Sequence, residues 1–316
     1  MLTAMGLPPV GYYDSTFGKT GGELRAALHE IINDHTPLAY SGGTNNTEQA
    51  LKLLDEDPAN TNNVFLLYAS RSEGKTNFGT SLGWNREHLW PNSFGLDDVR
   101  PSYTDLHNLR AEDATVNSSR GNKYYDISDT NAASFRKPGH AEAFSTSTDS
   151  DSWEPPDAVK GDIARALFYM DVRYEGDRTN EMNLILKDIP TEISSSTNFM
   201  GRLSALILWH EQDPVDDAER LRTDLIYQLY QHNRNPFIDH PEWVELIFKP
   251  AIRITRVGQF VQVSWPMEFT NSVLYISDNI SGPWTIATGT RTSNSNEIFQ
   301  TESATEQLYF FRLRLR

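Results

Sequence analysis

The run Trp84-Asn85-Arg86-Glu87-His88-Leu89-Trp90-Pro91 places a carboxamide, a guanidinium, a carboxylate and an imidazole side by side between two tryptophans. Polar groups set that densely point to chemistry. Two further polar clusters follow, Asp105-Leu106-His107-Asn108-Leu109-Arg110 and Val116-Asn117-Ser118-Ser119-Arg120-Gly121-Asn122. Neutral histidine near pH 7 can take a proton from water, and an adjacent carboxylate can hold a hard cation. Asn117 offers an amide oxygen suited to Mg²⁺, and Arg120 a bidentate partner for phosphate. A base, a cation ligand and an arginine together suggest hydrolysis of a phosphoester.

The three clusters, in this order and at this spacing, resemble the bacterial endonuclease I family, whose site is a ββα-metal (His-Me) finger. Further similar segments are Tyr12-Tyr13-Asp14 with Gly18-Lys19-Thr20-Gly21, Trp153-Glu154-Pro155-Pro156 with Lys160-Gly161-Asp162-Ile163-Ala164-Arg165, and Trp209-His210 through Asn233-Arg234-Asn235-Pro236-Phe237-Ile238-Asp239. About four-fifths of the chain is covered. The resemblance implies that His88 is the general base and that Glu87 and Asn117 are the two protein ligands of one Mg²⁺, for which Mn²⁺ or Ca²⁺ can substitute. It makes Arg86, Arg100, Arg120 and Asn108 candidate substrate contacts, with His107 and Asn85 in support. Arg120 reads equally well as a brace for its helix, and His107 and Asn108 as buried structural residues.

The implied activity is non-specific hydrolysis of DNA, double- or single-stranded, with RNA as a further candidate, to 5′-phosphate and 3′-hydroxyl ends. Two readings of other classes stand beside it. One is a catalytically silent protein that binds nucleic acid or matrix, which the intact Glu87-His88 and Asn117 set argues against. The other is a metal phosphoesterase for small substrates, which would not cut a closed circular plasmid internally.

Composition bounds these readings. The 316 residues, 38% of them hydrophobic, are enough for two domains with real cores. No apolar run is long enough to cross a bilayer, and Met1–Pro9 lacks the basic and apolar regions of a secretory signal. The family resemblance nonetheless implies a secreted or periplasmic protein, and a monomer is expected. The absence of cysteine excludes disulfides and thiolate chemistry. A net charge of −15 would repel a polyanion at long range, so positive charge must be local, from a cation and from arginines near the site. Residues 251–316 carry six arginines against five carboxylates, so the acidity lies in the first 250 residues. Such acidity suits a salty habitat, where activity would persist at high salt.

An α+β fold is expected: a mainly helical catalytic domain over residues 1–250 and a small β-sandwich over 251–316. Helices are predicted at 22–35, 48–55, 157–173, 201–210, 214–231 and 241–248, the fifth opening at Asp213-Pro214. Val64–Tyr68 reads as a buried strand, and the Ser, Thr, Asp and Asn-rich stretch 126–151 as a surface loop. The finger would consist of strands over 78–90 and 103–109 and a helix over 111–118. On a regular strand Glu87 and His88 face opposite ways, so the chain is expected to leave strand geometry there, before Pro91. Short β-prone runs follow Pro250. Ser264-Trp265-Pro266, Gly282-Pro283-Trp284-Thr285 and Phe310-Phe311-Arg312-Leu313-Arg314 resemble fibronectin-type-III-like modules of secreted bacterial enzymes.

Overall fold

The computed structural model describes residues 6–96, 101–178, 181–193, 197–270, 272–303 and 309–314. Its chain divides into two compact units, Met1–Phe248 and Lys249–Arg316.

The first unit opens with helix α1 (Gly21–Ile32), which buries Leu24, Ala27, Leu28 and Ile32 along one stripe. Helix α2 (Thr47–Leu54) begins where the Asn46 side chain accepts the Gln49 N–H. Three short strands, β1 (Glu56–Asp57), β2 (Asn60–Phe65) and β3 (Ser72–Gly74), form an antiparallel sheet. The apolar run Val64–Tyr68 is thus strand only in its first two residues. Leu66, Leu67 and Tyr68 stay buried beyond it, and the Leu67 N–H donates to the Ala111 carbonyl.

The ββα finger follows: β4 (Trp84–His88), β5 (Leu109–Asp113) and α3 (Ala114–Arg120). The order agrees with expectation, but the second strand and the helix begin later than the sequence suggested. Of residues 103–109, expected as the strand, only Leu109 belongs to one, because Ser102–Thr104 is a 3₁₀ turn and buried Asp105 accepts the His107 N–H (2.9 Å). The true second strand, Leu-Arg-Ala-Glu-Asp, is buried at every position and so shows no alternation to read. Its polar side chains have partners from elsewhere in the fold; Glu112, for example, accepts the Tyr68 N–H. Helix α3 starts at Ala114 because Asp113 Oδ1 accepts the N–H groups of Thr115 (2.7 Å) and Val116 (3.1 Å).

The expected loop 126–151 is bracketed by a small sheet, β6 (Tyr124–Tyr125), β7 (Ser147–Thr148) and β8 (Ser152–Glu154). Asp149 Oδ1 there accepts from Ser152 N (2.8 Å) and Asp151 N (3.2 Å), so it organises the turn. Helix α4 (Lys160–Arg173) is the buried axis of the unit and packs against α1. After β9 (Ile185–Leu186) and β10 (Phe199–Met200) come α5 (Leu203–Gln212) and α6 (Asp217–Leu225), the latter continued by a π-helical turn through Tyr230. Helix α6 begins three residues after Pro214, because Asp216 and Glu219 form a reciprocal capping box. Asp213 instead accepts the Gly161 N–H at the start of α4 (2.8 Å). Helices α7 (Pro236–Asp239) and α8 (Trp243–Phe248) close the unit.

The second unit holds β11 (Arg253–Val257), β12 (Phe260–Pro266), β13 (Val273–Ser277), β14 (Thr285–Ile286), β15 (Thr290–Ser293), β16 (Glu297–Ser303) and β17 (Phe310–Arg314). They form two antiparallel sheets, ordered β11-β12-β16-β15 and β14-β13-β17. Val263, Trp265, Leu274 and Ile298 are buried, one or two from each of three strands.

Candidate active site

Strand β4 pairs with β5 along one edge only, with Arg86 opposite Ala111 and His88 opposite Leu109. Ala111 turns its backbone groups away from β4, its N–H to Asp55 Oδ2 and its carbonyl to the Leu67 N–H. By the alternation of an antiparallel ladder, the carbonyls of Trp84, Arg86 and His88 therefore face the open edge of β4. Each is met there. The Gly79 N–H donates to Trp84 (2.8 Å), Asn117 Nδ2 to Arg86 (3.1 Å) and Arg120 Nη1 to His88 (2.9 Å). Helix α3 thus covers the strand edge with two side chains one helical turn apart, which match alternate residues of the strand.

β4 stays regular through His88, contrary to the expectation of an early exit, and Glu87 and His88 do face opposite ways. Glu87 is buried, and its Oε1 accepts from the Tyr68 hydroxyl (2.8 Å) and from Arg120 Nη1 (3.0 Å). Burial raises its pKa, while Arg120 and Tyr68 pull it down. The Tyr68 hydroxyl also bonds the Tyr125 hydroxyl (2.5 Å). His88, half-buried on the other face, stacks on Tyr103 (ring centroids 4.9 Å apart) with Tyr40 beyond. Its Nε2 lies 3.0 Å from the Tyr103 carbonyl. A carbonyl only accepts, so Nε2 carries the proton and Nδ1 is left as the basic nitrogen. Burial pushes the His88 pKa down to about 4, with the Tyr103 carbonyl opposing, so the ring is neutral at physiological pH.

Asn117 Nδ2 donates to Asn85 Oδ1 (2.8 Å) as well as to the Arg86 carbonyl. The Arg86 contact fixes which end of the amide is nitrogen, and Asn117 Oδ1 is left as an acceptor beside the strand edge. Asn85 and Glu87 share one face of β4. Two hard oxygen donors, one carboxylate and one amide, suit Mg²⁺, which keeps several of its own waters. Beside Asn85 lies an open cavity of about 530 Å³, lined by Gly79, Thr80, Ser81, Ala114, Thr115 and Ser118.

The remaining sequence candidates are placed differently. Arg120 is fully buried, and its Nη2 donates to the Leu89 carbonyl (2.8 Å), so its guanidinium braces Glu87 and the end of β4 and does not face solvent for a phosphate. Arg86 lies over the Tyr40 ring (3.6 Å) and donates to the Tyr40 carbonyl (2.5 Å) and Thr47 Oγ1 (3.0 Å). Asn108, also fully buried, clamps the Trp90 backbone through both amide atoms (2.7 and 3.1 Å) and is not placed to touch substrate. His107 packs on Tyr169 (4.4 Å), away from β4. Arg100 lies outside the described residues. Trp84 and Trp90 are core residues. Sequence reading missed Tyr40, Tyr68, Tyr103 and Tyr125, since none stands within a polar cluster.

The family profile described as Endonuclease I matches residues 20–242. This chain belongs to the endonuclease I family. It is 49% identical over 239 residues to a protein named extracellular ribonuclease from Bacillus subtilis (strain 168), a match covering 75% of this chain and 78% of the relative. A protein of the same name from Bacillus amyloliquefaciens is 48% identical over the same shares. This endonuclease I-family chain is therefore a nuclease. The profile match ends before the second, β unit.

Two further histidines bear on its stability. Burial pushes His35 down to about 4 and His107 down to about 3. On acidification the unfolded chain takes up protons near 6.5 while the folded chain does not, so this contribution is complete above 6.5 and is lost as pH falls toward 4. The urea midpoint is expected to drop across that window; a midpoint level from neutral pH to 4 would contradict the neutral, buried assignment of both rings.

Proposed function

We propose that this enzyme is a secreted, non-specific endonuclease that hydrolyses phosphodiester bonds of DNA and RNA to 5′-phosphate and 3′-hydroxyl ends. The observation that carries the reading is the fixed tautomer of His88, neutral, with Nε2–H held by the Tyr103 carbonyl and Nδ1 left as the base. In this reading Nδ1 takes a proton from water, and the hydroxide attacks phosphorus in line with the departing 3′ oxygen. Asn117 Oδ1 and the Glu87 carboxylate hold Mg²⁺, with Asn85 orienting the amide and Tyr68 and Arg120 the carboxylate. When bound, the cation supplies charge stabilisation for the attacked phosphate and the leaving oxygen. Both groups act on phosphate, which carries no base information, so cleavage is independent of sequence. Secretion and RNA as a substrate are supported by the names of the two Bacillus relatives.

The test is cleavage of closed circular plasmid and of structured RNA, with Mg²⁺ or with EDTA, at low and at high salt. Internal cuts that need metal and leave 5′-phosphate ends are expected, with activity persisting at high salt as the net charge of −15 suggests. Cutting unaffected by EDTA would refute the metal assignment. Steep loss between low and moderate salt would refute salt tolerance.

A further inference from the structure

The cavity beside Asn85 differs in chemistry from the rest of the site. No charged side chain lines it, and neither does any aromatic ring. A phosphate would find no cation there, and a base no plane to stack on.

The wall instead presents lone pairs. Thr80 Oγ1 donates its one proton to the Asn77 carbonyl (3.0 Å), Thr115 Oγ1 to Asp113 Oδ1 (2.5 Å) and Ser118 Oγ to the Ala114 carbonyl (2.8 Å). In each case the partner is a carbonyl or a carboxylate, so the hydroxyl must be the donor and keeps only acceptor capacity. Four backbone donors of the wall are also spent: the N–H of Gly79 on Trp84, of Thr80 on Asn77, of Ala114 on Gly83 and of Thr115 on Asp113. Ser81, which also lines the cavity, brings a hydroxyl that can donate or accept. Asn85 uses its Oδ1 to accept from Asn117, which leaves its amide nitrogen as a donor.

A wall rich in acceptors, with the Asn85 amide and Ser81 as its donors, is complementary to a neutral group that both donates and accepts. On a nucleic acid backbone that group is the ribose 2′-hydroxyl, which distinguishes RNA from DNA at a given position. One hydrogen bond separates the cavity from Asn117, so a sugar seated there belongs to a nucleotide beside the scissile phosphate. We infer that this cavity is a ribose subsite, in which Thr80 Oγ1 or Ser118 Oγ accepts the one proton of the 2′-hydroxyl and Asn85 donates to its oxygen, giving the enzyme a preference for RNA. The inference rests on the nuclease reading and deepens it.

The test compares three single strands of one sequence, RNA, 2′-fluoro RNA and DNA, with the Mg²⁺-loaded enzyme and its Ser118→Ala and Thr80→Val variants. Fluorine keeps an RNA-like sugar but cannot donate, so it separates hydroxyl recognition from backbone shape. The wild type should cut RNA about threefold to tenfold faster than 2′-fluoro RNA, the worth of one or two neutral hydrogen bonds. That ratio should fall toward one in at least one variant. Both side chains are exposed, and an unchanged thermal midpoint checks that each variant is folded. Equal rates on RNA and 2′-fluoro RNA in the wild type, or a ratio unchanged in both variants, would overturn the subsite while leaving the nuclease reading intact. A wild type that cuts none of the three, or that leaves cyclic phosphate ends on RNA and spares 2′-fluoro RNA, would overturn both.

Discussion

Replacing His88 by alanine is expected to lower kcat/KM by about 10²–10⁴ on DNA and RNA alike, the usual worth of a positioned general base. The loss should appear in kcat, because His88 touches the attacking water in this mechanism and not the polymer. Burial holds its pKa near 4, so the acid limb of the wild-type pH–rate profile should lie near 4 and not near 6.5, with activity rising as the ring loses its proton and level above. His88→Ala should abolish that limb along with the activity. A variant that is folded at the assay temperature and keeps wild-type kcat would remove His88 from the mechanism.

The Arg120→Ala variant is expected to be a folding mutant first and an activity mutant second. Its side chain is buried against Glu87, also buried, at 3.0 Å and bonds the carbonyls of His88 and Leu89. Removing it leaves a carboxylate without its counter-charge and two carbonyls without donors, a loss of about 3–5 kcal/mol. For a unit of this size that is a fall in Tm on the order of 10 °C. Arg120→Lys should recover little, because one ammonium cannot span three oxygens fixed in a fork. Calorimetry of both variants decides the matter. A phosphate-binding arginine would leave Tm unchanged and raise KM, and that result would sink the brace assignment.

The difference between Arg120 as phosphate ligand and as brace shows where sequence reading ends. An arginine three residues after Asn117 is compatible with either role. Only the placement of α3 along the open edge of β4 makes it the donor to the His88 carbonyl and the partner of Glu87. Asn108 is a similar case, since it lies in a polar cluster yet is consumed by the Trp90 backbone.

The second strand of the finger was displaced for a related reason. Periodicity marks a strand when one face is wet, and β5 is buried on both faces with Arg110, Glu112 and Asp113 inside it. Its polar residues are satisfied by partners distant in sequence, which no local pattern reports. The four tyrosines around Glu87 and His88 were equally silent, because Tyr103 acts through its carbonyl and Tyr68 through a contact to Glu87 across the sheet.

What the sequence by itself determined is the family, the order β, β, α of the finger, the α+β class and the identities of Glu87, His88 and Asn117 as the groups to examine. These are local features, spacing and residue type, and they survive translation into one dimension. The tertiary structure decided the tautomer of His88, the end of the Asn117 amide that is free and the role of Arg120 as a brace. It also decided the direction of every hydrogen bond in the wall beside Asn85. Each depends on which acceptor a distant segment brings within about 3 Å, and that is a property of the packed chain and of no stretch of it alone.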